Sequence, residues 1–421
     1  MSLYLKVSLL LSDWITSLLA AVPPRSRATF AELLCGCLLS KEGWVTGAIG
    51  SIQTGMHWTT FYKMLQRGSI KTQKLAVALF HLIQRQCAER VLTFVVDDTM
   101  VPRQSKSAPG AKKQFDHSNK PNRPSFMQAQ VWVTIGVSVV DAVGRACVLP
   151  VRSRLVPETG NRSRLRIAEA LVRALLPHVR VPVRLLFDAW FMRKNFVFPL
   201  VKRNVRFIGR SRHDTALFLP PPPRAKGKRG AGRKYGDRIT PEFRAALPVM
   251  ETRLFIYGRE QKVRIQSANA VARFLCGMRV TAVWCQIFDE TKKEWSATKL
   301  ILSNETGLDA QEIVRLFSRR WGIEPLFHNL KRWWGCKDLW QQSEKVLELW
   351  MQMRSAAYVL TQLLAIQLQQ SFPMSEVAPW RIGRPVTAGL FLAWLRREFS
   401  GLRFRAGFCV KSQKFQWPFS P

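Results

Sequence analysis

Two short apolar runs, each ending in aspartate, do most to limit what this chain can fold into. Arg90-Val91-Leu92-Thr93-Phe94-Val95-Val96 leads into Asp97-Asp98, and Pro182-Val183-Arg184-Leu185-Leu186-Phe187 leads into Asp188. A nearly continuous apolar run of this length, rich in β-branched residues, predicts a strand covered on both faces. Between the two runs, residues 129–140 and 146–151 read as strands joined by the turn Asp141-Ala142-Val143-Gly144. Residues 163–179 then carry Leu165, Ile167, Ala168, Leu171, Val172 and Leu175 at helical spacing. A helix over 192–202 follows the second aspartate. This succession of strands and helices, with acids at the strand tips, predicts an α/β chain whose site lies at the carboxyl edge of a central sheet.

The flanks have a different character. Residues 9–22, 28–39, 59–65 and 72–86 have helical periodicity, broken by Pro23-Pro24 and by the glycines between 43 and 55. They predict an all-helical N-terminal domain over 1–88. Strands are expected at 253–257, 261–266, 279–288 and 298–302, and helices at 306–334, 346–369 and 387–399. The segments that follow are 89–212, 213–296, 297–372 and 373–421, of which 213–296 is basic and β-rich and 373–421 helical.

With 47% hydrophobic residues in 421, the chain is too apolar to be disordered. Its 65 Lys and Arg against 28 Asp and Glu leave a net charge of +37. Such a surface repels itself unless an anion binds, and nucleic acid is the first expectation because each neutralised phosphate releases a counterion. An anionic membrane surface is the weaker alternative. Membrane insertion is not expected, since no stretch approaches ~18 uncharged apolar residues. The eight cysteines form no CxxC pair and no Cys/His cluster, which points to reduced, mostly buried thiols in a cytoplasmic protein. Charge concentrates between 204 and 235, where Arg206, Arg210, Arg212, Arg224, Lys226, Lys228, Arg229, Arg233 and Lys234 face only Asp214. Such a run is either a solvated linker or a phosphate-contacting loop, and the charge density favours the loop.

Three acidic positions stand out: Asp97 or Asp98, Asp188, and Glu324 within a basic aromatic helix. Each alone would serve as a turn cap or as a partner for an arginine. Together, convergent carboxylates are what divalent cations require, and charge at the end of an apolar strand is costly without a role. On an unbroken helix Phe317, Glu324 and Lys331 recur every seven residues, with Arg320 four before Glu324, so all four share one stripe. Pro325 predicts a kink at Ile323-Glu324.

The pattern Arg-x3-Glu-x6-Lys, read as Arg320, Glu324 and Lys331, resembles the signature of cut-and-paste DDE transposases of the insertion-sequence-four type. In those enzymes a Tyr precedes the Arg by three residues, and here Phe317 stands in its place. Phe94-Val95-Val96-Asp97-Asp98-Thr99 and Leu186-Phe187-Asp188-Ala189-Trp190-Phe191 resemble the family's two Asp motifs, in the right order. The resemblance implies a ribonuclease-H-like catalytic core (89–212 and 297–372) interrupted by a β-rich insertion (213–296), with a DNA-binding domain over 1–88. It further implies that Asp97, Asp188 and Glu324 are the catalytic acids and hold two Mg²⁺ or Mn²⁺ ions. Asp97 is preferred over its neighbour Asp98 because the family's first motif commonly reads Asp-x-Thr. DNA ends would be cleaved, in many relatives through a hairpin, and joined to target DNA by a dimer assembled on terminal inverted repeats. By the same resemblance Arg320 and Lys331 contact DNA phosphates. Phe317 keeps the ring without the phenolic hydroxyl, and Trp284, Trp295 and Trp321 are candidates to receive a displaced base. His328, one turn after Glu324, could face the metals or phosphates. The basic residues 112–113 and 120–123 would border the site, and Arg229, Arg233 and Lys234 would contact DNA. Two alternatives remain at this point: a catalytically silent DNA-binding descendant, and a ribonuclease-H-type nuclease acting on RNA/DNA hybrids. A bacterial, nucleoid-associated protein is expected.

Overall fold

A computed structural model describes residues 2–116, 124–141, 143–157, 164–223, 232–305 and 307–418. The N-terminal part is helical: α1 (Leu3–Leu19), α2 (Arg27–Leu39), α3 (Val45–Gly50), α4 (Thr59–Arg67) and α5 (Thr72–Gln86). α2 is buried from Thr29 to Leu39, as a helix apolar on all sides must be. Gly36 permits its close crossing with α3, because a Cβ there would lie 2.3 Å from the Ala48 carbonyl oxygen.

Next come β1 (Leu92–Pro102), β2 (Lys112–Phe115), the hairpin β3 (Phe126–Val140) and β4 (Ala146–Leu155), α6 (Arg164–Leu175), β5 (Val183–Phe187), α7 (Lys194–Val201) and β6 (Val205–Ser211). After α8 (Pro241–Ala245) the chain forms β7 (Met250–Ile256), β8 (Arg259–Ala272), β9 (Met278–Asp289), β10 (Glu294–Trp295) and β11 (Lys299–Ser303). One mixed sheet takes in all of these strands in the order β2-β3-β1-β5-β6-β11-β9-β8-β7, with β4 on β3 and β10 on β9. β1, β5 and β6 are mutually parallel, and β11 joins β6 to β9 by antiparallel pairing on both sides. The fold is therefore mixed α/β, and the later strands extend the same sheet.

The sheet is followed by α9 (Ala310–Ser318), α10 (Ile323–Trp333), α11 (Glu344–Gln367), α12 (Met374–Val377) and α13 (Ala388–Phe399). α11 is buried from Leu347 to Ala365 and packs against β4, α2 and α13. The N-terminal and C-terminal helices thus share one core. Fully buried Arg354 fastens it, donating to the carbonyls of Trp334 at 2.6 Å and Ser40 at 2.9 Å. Several expectations need correction. β1 does not end at its acids but runs on to Pro102, because β3 continues to pair with it. The predicted helix over 306–334 is two helices separated by one 3-10 turn, Arg319–Gly322, and Thr306 lies outside the described residues. Gly322 sits so close to β4 that a Cβ would lie 3.2 Å from the Cys147 backbone. Pro325 produces no kink, because it falls in the first turn of α10, where amide protons have no intrahelical partner. Finally, the C-terminal segment is helical only to Phe399; after Gly401 (φ 81°) a hairpin of β12 (Phe408–Cys409) and β13 (Lys414–Phe415) packs on α1. The cysteines are free, and Cys276 and Cys409 are exposed.

Candidate active site

Strand register places the first two acids. β1 and β5 run parallel, and their last pair is Val95 with Leu186. Two residues further on each chain stand Asp97 and Asp188, level with one another and on the same face by the two-residue pleat. Asp188 lies one residue past the end of β5, where its Oδ1 accepts from the Trp190 amide at 2.9 Å and turns the chain away. α10 supplies the third acid. Glu324, Phe327, His328 and Lys331 recur along one face of it and, with Asp97, Asp98 and Asp188, line a cleft of about 1170 Å³.

Cations cross-link these groups. Arg320 donates Nη1 to Asp97 Oδ2 at 2.8 Å and stands 3.8 Å from Glu324 Oε1. Asp97 Oδ1 accepts from the Asp98 amide at 2.9 Å. Arg164 bonds Asp98 Oδ2 at 3.1 Å with one nitrogen and Gln114 Oε1 at 3.2 Å with another. Lys331 Nζ donates to Thr99 Oγ1 at 2.7 Å and to the Met100 carbonyl at 2.8 Å, which fastens α10 to β1. Burial pushes the Asp97 carboxyl well above the usual carboxylate range; Arg320 opposes the rise, while Asp188 and Asp98 add to it. Burial likewise raises Asp98, with Arg164 opposing and Asp188 reinforcing. The neighbouring carboxylates thus add to burial in disfavouring the ionisation of Asp97 and Asp98.

That donor set fits a divalent cation. It is made of hard carboxylate oxygens whose mutual repulsion a cation would relieve. Among the described residues, no three acidic, His or Cys side chains already converge at ligating distance, and Arg320 supplies the counter-charge at Asp97.

The remaining sequence candidates are not gathered at the cleft. Phe317 is 6% exposed in the core, on α9. With the 3-10 turn between them, the single stripe expected of Phe317, Arg320, Glu324 and Lys331 does not form. Trp321 is 50% exposed and meets Tyr257 edge-on at 5.9 Å. Trp284 is buried in β9, and Trp295 lies under the Arg264 guanidinium at 4.3 Å. Arg233 pairs with Asp237 at 3.2 Å on the exposed surface, and Lys234 is exposed beside it. Arg224, Lys226, Lys228, Arg229 and residues 120–123 lie outside the described residues. Several cleft residues were given no role by the sequence reading, Lys41, Arg332 and Lys337 among them; two that adjoin the acids are Arg164, at the start of α6, and Trp190, 39% exposed, whose ring lies 5.4 Å from the Arg164 guanidinium. Trp190 stands two residues after Asp188, the one signal that could have singled it out.

A mixed sheet that brings carboxylates on parallel strands into one open, cation-rimmed cleft has the donor chemistry that metal-assisted phosphoryl transfer requires. The chain belongs to the DDE superfamily endonuclease family, whose model matches residues 24–269. That match includes Asp97, Asp98 and Asp188 and stops short of Glu324. Among curated proteins, none matches the chain.

Proposed function

We propose that this protein is a DNA transposase of the insertion-sequence-four type, which cleaves the ends of its element and joins them to target DNA, passing through a hairpin intermediate. One observation carries the reading: Asp97, Asp98, Asp188 and Glu324 meet Lys331 in one open cleft, with Arg320 bonded to Asp97, in a chain of net charge +37. The strand order β4-β3-β1-β5-β6, with the last three parallel, supports a ribonuclease-H-like core. The strands β7 to β10 are then the β-rich insertion between its two parts, and residues 1–88 the DNA-binding domain.

In this reading Asp97, Asp188 and Glu324 hold two Mg²⁺ or Mn²⁺ ions, with Asp98 beside them. Bound ions supply an activated water or 3′-hydroxyl and stabilise the leaving oxygen. Lys331, held by Thr99 and Met100, presents a fixed ammonium to the phosphate that enters the cleft. Arg320 exchanges Asp97 for a DNA phosphate, which frees a carboxylate oxygen for the metal. Double-stranded DNA is the partner, both as terminal inverted repeats and as target, and the working unit is a dimer on DNA in the bacterial nucleoid. Among the described residues no helix is long and apolar enough to cross a membrane.

The test is cleavage and joining of a labelled duplex carrying the element's own ends, with Mg²⁺ or Mn²⁺, for wild type, Asp188→Ala and Glu324→Ala. Hairpins and joined products from wild type alone are expected. Binding without cleavage by all three would reduce the protein to a silent DNA-binding descendant and overturn the proposal.

A further inference from the structure

A second concavity, of about 610 Å³, lies on the other side of the segment 188–193. Asp188 and Trp190 face the carboxylate cleft, whereas Ala189, Met192 and Arg193 line this one. Its character is the opposite of the cleft's. Four arginines, Arg193, Arg212, Arg238 and Arg273, converge on it with a single acid, Asp214. All four are exposed, and none of their guanidiniums has an ion pair or hydrogen bond among the described residues. Some exposed arginines elsewhere do pair, as Arg85 does with Asp13 (2.7 Å) and Arg233 with Asp237, and others such as Arg253 and Arg279 stand singly among the described residues; here four unpaired ones line one concavity.

The walls are built. The Phe218 amide donates to the Val271 carbonyl at 3.1 Å and its carbonyl accepts from the Val271 amide at 2.7 Å, while the Gly236 amide donates to the Leu219 carbonyl at 2.8 Å. Ser211 and Thr215 join their hydroxyls at 2.8 Å. Four like charges held around one concavity by a fixed backbone raise each other's energy unless an anion enters. The space exceeds that of a single phosphate, and Arg guanidiniums match phosphate oxygens in geometry. From Asp188 to Arg193 the chain spans at most about 18 Å, roughly five steps of B-form duplex.

We infer that this arginine concavity is a second DNA-backbone site, binding phosphates of the duplex that continues past the carboxylate cleft. The inference rests on the proposed function, because it takes the cleft ligand to be DNA. Two duplexes could supply that backbone: the DNA flanking the element before cleavage, or the acceptor that receives the freed end.

The experiment measures binding of fluorescein-labelled duplexes by anisotropy between 50 and 300 mM KCl, in EDTA, for wild type and for Arg212→Ala/Arg238→Ala. A control, Lys411→Ala/Lys414→Ala, removes the same charge at the C-terminal hairpin. One duplex is the element end cut flush at the cleavage position, the second is that end with fifteen base pairs of flank, and the third is an arbitrary duplex added to complexes already on flush ends. The loss of two phosphate contacts lowers the slope of log K against log salt by about 1.8. A loss confined to the flanked end assigns the site to flanking DNA, and a loss confined to the added duplex assigns it to the acceptor. Slopes equal to wild type on all three, or a fall matched by the lysine control, overturn the inference while leaving the cleft reading intact. Failure of wild type to bind any duplex would overturn both.

Discussion

The contact between Arg320 and Asp97 is the point at which the cleft can be tested without any DNA. Both side chains are largely buried, with 15% and 13% exposure, and meet at 2.8 Å. At an effective dielectric of 20, two unit charges at that distance attract by about 6 kcal/mol, most of which offsets their desolvation. Arg320→Gln leaves Asp97 beside Asp98 and Asp188 without its counter-charge. Asp97 can escape by taking a proton, at a cost of about 1.4 kcal/mol for each unit by which the pH exceeds its folded pKa. The loss of stability at pH 8 therefore stays below the about 3 to 5 kcal/mol of stranding a buried charge. Its pH dependence has a definite sign. Burial raises the folded pKa of Asp97 in wild type, and removal of Arg320 raises it further. A carboxyl with a raised folded pKa contributes stability that is fully present below its unfolded pKa of about 3.9 and is lost as pH climbs through the folded value. The deficit of Arg320→Gln therefore widens as pH rises through the wild-type folded value. Urea unfolding in EDTA, run as a cycle with Asp97→Asn, isolates the pair, and the coupling energy at pH 8 is expected to be about 2 kcal/mol. A coupling under about 0.5 kcal/mol, or a deficit that narrows as pH rises, would refute the argument that Arg320 opposes the rise that burial imposes on this carboxyl.

Glu305 carries the opposite linkage. Burial alone pushes its carboxyl up, but Arg184 at 2.7 Å and Arg206 at 3.0 Å more than offset this and leave it below the ordinary value. Its stabilisation is present above the unfolded pKa and fades as pH falls through the folded one. Glu305→Gln should cost about 3 kcal/mol at pH 7, because it strands Arg184 at 7% exposure; a loss below about 1 kcal/mol in urea unfolding would contradict this. Trp190 is an exposed aromatic ring of the cleft, which Phe115 and Phe327 also line, so Trp190→Ala should weaken binding of a single-stranded oligonucleotide by the value of one stacked base, about 1 to 3 kcal/mol. Trp321→Ala should leave it within twofold, and equal losses at both positions in an anisotropy titration would sink the assignment.

How much of this was legible in the sequence depends on the range of the signal. The buried strands β1 and β5 were readable because apolar, β-branched runs have no other economical use, and the register of a parallel pair then fixes Asp97 against Asp188 without further information. The break between α9 and α10 was not readable. Periodicity continues across Arg319–Gly322, and what forces the turn is the approach of Gly322 to β4, a contact with residues more than 170 positions away. That single break explains both misplacements on this stretch. It lets Phe317 turn into the core, and it makes Pro325 a first-turn residue. Arg320 lies inside the break rather than on the helix, which lets it reach back to Asp97 while Glu324, four residues on, enters the cleft from α10. A continuous helix would align the arginine with Glu324 as an i,i+4 pair, yet the observed separation of 3.8 Å is the looser of its two contacts. The sequence spacing therefore encodes a cation aimed at the acid on the neighbouring strand, and only the fold could reveal that target.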